Sequence, residues 1–358
     1  MTTAEKPPAA PSTAAPAIAP PTAASSVVAQ TVAPPTAASP AAAQTVAPPT
    51  AASPAAAQTV APPAAPPAAA QTVAPPAAPP AAGEPAAVLP TAEQPVAEQP
   101  LPEPPAPVPP RPLALITGVG RTVGIGAGIA RRLAASGWDI AFTYWTPYDR
   151  RMTWGEERGA AAAIEASLAA HGARTAAIEA DLIDPDAPTR IFDEAERRIG
   201  PVTALVLSHA ESVDSGLLDT TLASFDRHFA VNTRASWLLI REYALRFRAP
   251  LGTGRIIALT SDHTVGNLPY GASKGALDRI TLAAARELAH LGVTANVINP
   301  GPVDTGWMSE ELAELIRRDT PLGRLGTPQD TAHLVDFLCS PQGQWINGQL
   351  LKSNGGSA

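Results

Sequence analysis

The stretch from Gly254 to Ala289 carries side chains whose types and spacing suit acid–base chemistry. Tyr270 and Lys274 lie four residues apart at the start of an Ala- and Leu-rich pattern that predicts a helix, so both side chains project from one helix face. A free tyrosine has a pKa of about 10 and is a poor base at neutral pH. A neighbouring ammonium stabilises the phenolate, so we expect Lys274 to lower the pKa of Tyr270 toward the range that general acid–base catalysis needs.

Ser261 is the third candidate for this chemistry. The β-branched apolar run from Ile256 to Leu259 predicts a buried strand, and Ser261 follows its end. There its hydroxyl can polarise a substrate carbonyl or alcohol beside Tyr270. An isolated Tyr-x3-Lys pair usually belongs to an ordinary helix surface, but the preceding strand, loop and serine favour an active site here.

A glycine-rich turn precedes this region by more than a hundred residues. Residues 112–117 predict a strand, Gly118, Gly124 and Gly126 follow it, and residues 127–136 have helical periodicity. A strand, a glycine turn and a helix in this order direct backbone N–H groups at a pyrophosphate. The strict G-x-G-x-x-G spacing does not occur in this turn, and the flanking strand and helix support a dinucleotide site.

The second predicted strand, residues 139–144, ends where a dinucleotide fold places the adenosine ribose. An acidic residue at that position would favour NAD. The strand ends instead in Tyr144, and Arg121 of the glycine turn is a candidate partner for a 2′-phosphate. Arg150 and Arg151 are further candidates, although such arginines are more often solvated. We therefore expect NADP as the cofactor, with NAD as the alternative.

The rest of the folded part alternates predicted strands with helices of 10–20 residues. This pattern is typical of an α/β protein with a Rossmann-type, doubly wound parallel sheet, here of about seven strands. The remaining predicted strands are residues 174–179, 204–207, 256–259, 294–298 and 349–352. The remaining predicted helices are residues 157–171, 189–199, 222–246, 270–290, 306–318 and 328–339.

Residues 1–110 differ sharply in composition from the rest of the chain. They hold 30 of the 42 prolines, no aromatic residue and no cysteine, and the motif QTVAPP begins at residues 30, 44, 58 and 71. Such a segment buries too little apolar surface to offset the entropy of the chain. We predict a disordered Ala/Pro-rich tail of polyproline II character, followed by one domain at 111–358.

Charge and hydropathy exclude several functions. The net charge is −7, and five Glu and one Lys in the tail leave about −3 for the domain, so no nucleic-acid partner is expected. No continuous apolar run of membrane-spanning length occurs, and the N-terminus lacks the apolar core of a signal peptide. The single cysteine, Cys339, excludes an internal disulfide and fits a reducing cytoplasm. No metal site is predicted.

Taken together, these motifs resemble the short-chain dehydrogenase/reductase family, and within it the 3-oxoacyl-acyl-carrier-protein reductases, from about Pro112 to the C-terminus. The resemblance implies NAD(P)H-dependent reduction of a carbonyl, with a 3-oxoacyl thioester of fatty acid metabolism as one substrate class and Tyr270 as general acid. It implies Ser261 and Lys274 as further catalytic residues, and Asn232 as the support of a proton-relay water. It also implies a homodimer or homotetramer.

The expected cofactor contacts combine the positions derived above with those that the resemblance implies. Lys274 is expected to hold the ribose hydroxyls, and the segment after the sixth strand is expected to cover the nicotinamide. The expected cofactor-binding residues are Gly118, Arg121, Gly124, Ile125, Gly126, Tyr144, Asp181, Leu182, Ser208, Ala210, Tyr270, Lys274, Pro300, Gly301, Val303 and Thr305.

The sequence departs from the family pattern in ways that matter for function. The glycine turn is two residues longer than usual, as in enoyl-acyl-carrier-protein reductases, but that branch spaces its Tyr and Lys seven apart. The spacing of four here favours ketone chemistry. Ser261 and Tyr270 are nine apart where about thirteen is usual, so the loop between them must be short. His209 lies where Asn-Ala-Gly is common, and a strand-end histidine is more often structural than a catalytic base.

Three functional readings remain open. The leading one is a carbonyl reductase, and the alternatives are an enoyl-thioester reductase of the same fold or a nucleotide-binding scaffold without turnover. The sequence does not distinguish an acyl thioester from a polyketide, a steroid or a free ketone. Candidate pocket walls, which suggest an apolar substrate, are Trp145, His263, Leu268, Trp307 and Met308.

Overall fold

A computed structural model describes residues 110–357. The predicted disordered tail lies outside the described residues. The described part contains a seven-stranded sheet in the order β3-β2-β1-β4-β5-β6-β7, in which every neighbouring pair is parallel. The predicted doubly wound parallel sheet is thereby confirmed. Its strands are β1 Leu113–Thr117, β2 Asp139–Tyr144, β3 Thr175–Glu179, β4 Val202–Leu207, β5 Arg255–Leu259, β6 Thr294–Asn299 and β7 Leu350–Lys352.

Nine α-helices connect these strands within residues 110–357. They are α1 Ile125–Ala135, α2 Thr146–Arg151, α3 Ala160–Ala169, α4 Ala187–Arg198, α5 Leu222–His228, α6 Ala235–Arg246, α7 Leu268–Glu287, α8 Glu310–Asp319 and α9 Pro328–Cys339. Short 3₁₀ turns follow α7 and α9. None of the helices described combines the length and hydropathy that a bilayer span requires.

Three helices differ from their predicted bounds for identifiable local reasons. The predicted helix at 222–246 is divided, because a π-helical turn, Phe229–Arg234, joins α5 to α6. Helix α3 begins at Ala160 rather than at residue 157, because Gly159 has a left-handed backbone (φ 76°). Helix α8 begins at Glu310, after Ser309 accepts a hydrogen bond from the Leu312 N–H as its N-cap.

Both faces of the sheet are buried against helices, which explains why its strands are almost continuously apolar. Alternate residues of β1 point to opposite faces: Leu115 joins the apolar cluster that contains Tyr243, and Ile116 joins the one that contains Leu133. The sheet order reverses between β1 and β4, where successive connections leave on opposite sides. In open parallel sheets this point creates a crevice at the carboxyl ends of the strands, where ligands bind.

Gly128 sets how closely α1 approaches α9. An ideal Cβ on Gly128 would lie 2.7 Å from Pro328 Cβ and 3.2 Å from the Pro328 carbonyl. Pro328 is the first residue of α9, and its position is fixed by a reciprocal capping box between Thr327 and Asp330. The helices therefore meet at a contact that only glycine fits.

We predict that Gly128→Ala lowers the free energy of unfolding by about 1–3 kcal/mol, because the added methyl overpacks against α9. Gly275→Ala is the matched control. Gly275 is an exposed helical glycine whose ideal Cβ would meet nothing within 4 Å, so alanine should stabilise the protein by about 0.5–1 kcal/mol. Urea denaturation measures both variants, and equal effects at the two positions would contradict the close-contact account.

Candidate active site

Lys274 is a buried cation at the carboxyl edge of the sheet. Its side chain belongs to α7, and the residue is only 2% exposed. Its ammonium Nζ donates to the carbonyl of Leu259 at 2.9 Å and to that of His209 at 3.3 Å. Burial lowers the pKa of Lys274 to about 8, and the carboxylate of Asp278, one turn along α7, opposes this shift. The ammonium therefore ties α7 to the ends of both β5 and β4.

Tyr270 lies beside this ammonium, with Lys274 Nζ 5.7 Å from the centre of its ring. Burial raises the pKa of Tyr270 to about 12, and a hydrogen bond with the Ser261 side chain lowers it by a smaller amount. The net pKa of Tyr270 is therefore raised rather than lowered as expected, because desolvation is the largest effect. A phenol with this pKa is protonated at neutral pH and is set up to donate a proton.

The short loop between Ser261 and Tyr270 holds the two side chains together. Ser261 Oγ accepts a hydrogen bond from the His263 N–H at 3.1 Å, so the loop turns immediately after the strand. Helix α7 then begins at Leu268, and a Cβ on Gly271 in its first turn would overlap the His263 carbonyl. Glycine at this position allows a loop of this length to fold against the helix.

Asn232 lies in the π-helical turn, and its side-chain amide joins three parts of the site. Its Oδ1 accepts from the Glu211 N–H at 2.7 Å, and its Nδ2 donates to the Glu211 carbonyl and to Ser273 Oγ, each at 2.9 Å. Both amide hydrogens are thus engaged by protein groups, and the proton-relay role expected of Asn232 stays a prediction. The geometry gives the Asn232 side chain a positioning role between the loop after β4 and α7.

His209 is structural in this site. Its Nδ1 lies 2.6 Å from Thr117 Oγ1 and its Nε2 lies 3.0 Å from the Val231 carbonyl, an arrangement that fits a neutral ring protonated at Nε2. Burial, together with a smaller effect of the Lys274 charge, lowers the pKa of His209 to about 3. Gly118, with φ 74°, packs so closely that an ideal Cβ on it would lie 2.5 Å from His209 Cα.

A cleft of about 530 Å³ runs along this edge of the sheet. Asn232 and Ser261 are not among the residues that line it, and neither are Gly301 and Val303, the latter being buried against Gly326. The other expected cofactor residues all line the cleft: Gly118, Arg121, Gly124, Ile125, Gly126, Tyr144, Asp181, Leu182, Ser208, Ala210, Tyr270, Lys274, Pro300 and Thr305.

The glycine turn has the features that a pyrophosphate requires. Gly124 is the N-cap of α1, no side chain caps that end, and the first turn holds no acidic residue. The unpaired N–H groups and the positive end of the helix dipole therefore favour an anion at the end of α1, while the Glu157 carboxylate accepts from the Thr122 N–H earlier in the turn. A Cβ on Gly126 would lie 2.9 Å from the Gly118 carbonyl, so the turn closes only with glycine. These residues fit a dinucleotide.

Arg121 spans the glycine turn instead of extending into solvent. Its Nη2 donates to the Thr305 carbonyl at 2.8 Å, and its guanidinium lies 5.0 Å from the centre of a Trp154 ring. Arg121 therefore joins the loop after β6 to the segment after β2, across the cleft.

Residues 145–157, which include α2, form a strap over the glycine turn that the sequence analysis did not predict. Asp149 is buried beside Gly120 and accepts a hydrogen bond from Trp154 Nε1 at 2.9 Å. At the other end of the strap, the Tyr148 hydroxyl donates to the Ser212 carbonyl at 3.3 Å. The strap thus reaches from the end of β2 to the loop after β4.

Several expectations for the cleft walls are corrected by this strap. Arg151 is exposed, lines the cleft and pairs with Glu211, whereas Arg150 forms an exposed pair with Glu156. Of the candidate walls only Trp145 lines the cleft, and His263, Leu268, Trp307 and Met308 do not. The sequence feature that could have indicated the strap is its aromatic residues, Trp145, Tyr148 and Trp154, in a chain with 4% aromatic residues.

Comparison with known proteins agrees with this geometry. The family model described as "Enoyl-(Acyl carrier protein) reductase" matches residues 118–358. The chain is 37% identical over 249 residues to the "Uncharacterized oxidoreductase YjdA" of Bacillus subtilis (strain 168), which covers 68% of this chain and 96% of that protein. It is 36% identical over 255 residues to the "NADPH-dependent aldehyde reductase 2, chloroplastic" of Arabidopsis thaliana, covering 68% and 93%.

Solved structures of similar proteins also include short-chain dehydrogenases. A short-chain dehydrogenase from Burkholderia cenocepacia J2315 in complex with NADP is 34% identical, covers 68% of this chain and 96% of its own, and superposes with a TM-score of 0.61. The similarity covers nearly all of each relative and includes both the glycine turn and the Tyr270–Lys274 helix. The chain belongs to the short-chain dehydrogenase/reductase family, whose members are NAD(P)-dependent oxidoreductases acting on C=O and CH–OH groups.

Proposed function

We propose that this protein reduces a carbonyl group with NADPH and that Tyr270 is the general acid. The observation that carries the proposal is the half-buried Tyr270 phenol, with its pKa raised to about 12 and its ring centre 5.7 Å from the Lys274 ammonium, in a cleft that begins at a glycine turn. The cofactor is NADP: relatives and solved neighbours named for NADPH or NADP share the fold and the cleft-forming segments. When bound, NADPH supplies the hydride.

Different residues of the cleft would bind different parts of this cofactor. The N-terminus of α1 and the glycine turn would hold the pyrophosphate, and Asp181 and Leu182, beyond β3, would hold the adenine. Lys274 would hold the ribose hydroxyls near the nicotinamide, and Thr305 the nicotinamide end. We place Arg121 near the pyrophosphate rather than the 2′-phosphate, because its guanidinium is held over the glycine turn by Thr305 and Trp154.

The proton is transferred by the chain's own side chains. The Tyr270 hydroxyl donates its proton to the alkoxide that forms on the substrate, and Ser261 holds the same oxygen by a hydrogen bond. The Lys274 ammonium then stabilises the phenolate left on Tyr270. The Asn232 amide binds both Glu211 and Ser273 and thereby holds the loop after β4 against α7 during this step.

The substrate is a carbonyl compound, and a 3-oxoacyl thioester is one candidate within this class. The enoyl-thioester alternative is favoured by the description of the matching family model, while the spacing of Tyr270 and Lys274 favours a carbonyl. Steady oxidation of NADPH with acetoacetyl thioester, crotonyl thioester and simple aldehydes separates these substrates. A scaffold without turnover would oxidise NADPH with none of them.

Assembly and location also stay proposals. A groove with half-exposed Trp237 supports a homodimer or homotetramer. Its apolar lining residues are Phe229, Ala230, Trp237 and Ile280, and its polar ones are Asp226, Thr233 and Arg234. The low cysteine content supports a cytoplasmic protein.

We predict that Tyr270→Phe lowers kcat/KM for carbonyl reduction by about 10²–10⁴-fold, because the ring loses the donated proton but keeps its packing. NADPH binding, measured by thermal shift, should change little. The matched control is Tyr243→Phe, since the buried Tyr243 hydroxyl donates to the Thr203 carbonyl far from the cleft. Full activity of Tyr270→Phe would refute the assignment of the general acid.

We predict that kcat/KM for reduction falls as the pH rises above about 8. The folded-state pKa of Lys274 is lowered to about 8, so the stabilising ammonium is present below this pH and is lost above it. In Asp278→Asn, the carboxylate that raises the pKa of Lys274 is removed, so the decline should move to lower pH. Asp193→Asn, at an exposed ion pair with Arg246, should leave the profile in place. An unchanged decline in Asp278→Asn would contradict the role of Lys274.

A further inference from the structure

Glu211 is a buried carboxylate in the wall of the cleft that the proposed mechanism does not use. The residue is 3% exposed and lines the cleft. One oxygen, Oε2, pairs with Arg151 of the strap. The other oxygen, Oε1, is buried and has no hydrogen-bond partner among residues 110–357. A buried carboxylate oxygen without a donor is costly, so we look for a ligand group that could donate to it.

Glu211 belongs to the loop after β4, which borders the catalytic end of the cleft. Its backbone N–H and carbonyl are both held by the Asn232 amide, which also binds Ser273 on α7. His209, two residues earlier, supplies a carbonyl to Lys274 Nζ. The same short loop thus contacts the catalytic ammonium and carries the unpartnered carboxylate oxygen.

The neighbours of Glu211 determine which group fits there. Arg151 already compensates the negative charge, and its guanidinium lies 5.1 Å from the centre of the Tyr148 ring. The Tyr148 hydroxyl donates to the Ser212 carbonyl and so does not reach Glu211 as a donor. Because the Arg151–Glu211 pair is neutral overall, a neutral donor such as a hydroxyl fits better than an ammonium group.

We propose that Glu211 Oε1 is the acceptor for a hydroxyl group of a ligand in the cleft, and that the Arg151–Glu211 pair is a polar recognition subsite. This inference rests on the proposed carbonyl reduction. Two sources share the chemistry: a hydroxyl next to the reacting carbonyl of the substrate, or a ribose hydroxyl of the cofactor. The first source makes the enzyme selective for hydroxylated aldehydes and ketones over alkyl carbonyls of the same length.

Two variants test the subsite while keeping the packing. Glu211→Gln keeps the size and one acceptor oxygen but removes the charge. The double variant Arg151→Met with Glu211→Met removes both charges together, which avoids leaving either one buried alone. The control is Glu156→Gln, whose carboxylate pairs with Arg150 in the same strap, outside the cleft lining. Circular dichroism checks that each variant folds.

The readouts are the ratio of kcat/KM for glyceraldehyde to that for propanal, and the Kd for NADPH from fluorescence titration. If the substrate supplies the hydroxyl, the double variant should lower the ratio about tenfold, as expected for a hydrogen bond to a charged group, while the control keeps it. If the cofactor ribose supplies it, the Kd for NADPH should rise about tenfold with the ratio unchanged.

A ratio and a Kd that both match those of the control would overturn the subsite. Failure of the proposed function is distinguishable from this result. If the wild-type protein reduced neither aldehyde nor any other carbonyl, the reductase proposal would fail, and the NADPH titration alone would decide whether Glu211 binds a hydroxyl.

Discussion

The burial of one ammonium group is the constraint on which this site depends. The Lys274 ammonium is buried away from water. Its Nζ donates instead to the carbonyls of Leu259 and His209, at the ends of two adjacent strands. Burying a charge without such partners would be prohibitive. Any shift of α7 along the sheet would break these bonds, so the same bonds that hold the cation also fix Tyr270, one turn earlier.

Buried polar bonds, rather than apolar packing alone, set the geometry around this cation. The His209 imidazole joins Thr117 of β1 to Val231 in the π-helical turn, and the Asn232 amide joins that turn to α7. Each buried donor or acceptor costs free energy if its partner is lost, so the network specifies one arrangement. The site therefore has a rigid floor that reaches from β1 to α7, and the strap covers it from the other side.

The sheet and the catalytic helix could be predicted from sequence because their signals are local. Strand β2 has the predicted bounds, since its apolar run ends at a clear change of composition, and the capped start of α9 follows from Thr327 and Pro328. Tyr270 and Lys274 could be paired because helical periodicity alone puts them on one face. The expected cofactor, NADP, is confirmed by relatives and solved neighbours named for NADPH or NADP.

The rest depended on tertiary contacts that no local pattern reports. The pKa of Tyr270 is raised because burial outweighs its polar neighbours, and burial is a property of the whole fold. The role of the Asn232 side chain could not be predicted because its partners, Glu211 and Ser273, are distant in sequence. The pairing of Arg151 with Glu211 could not be predicted, because the two residues lie sixty positions apart.

A crystal structure of the protein with NADP and a secondary alcohol would show whether Tyr270 and Ser261 bind the same substrate oxygen. We expect the alcohol oxygen to lie within about 3 Å of both Tyr270 Oη and Ser261 Oγ, with the carbinol carbon facing the nicotinamide. An alcohol bound elsewhere in the cleft, or the two side-chain oxygens turned to opposite sides of it, would disprove the roles given to these two residues.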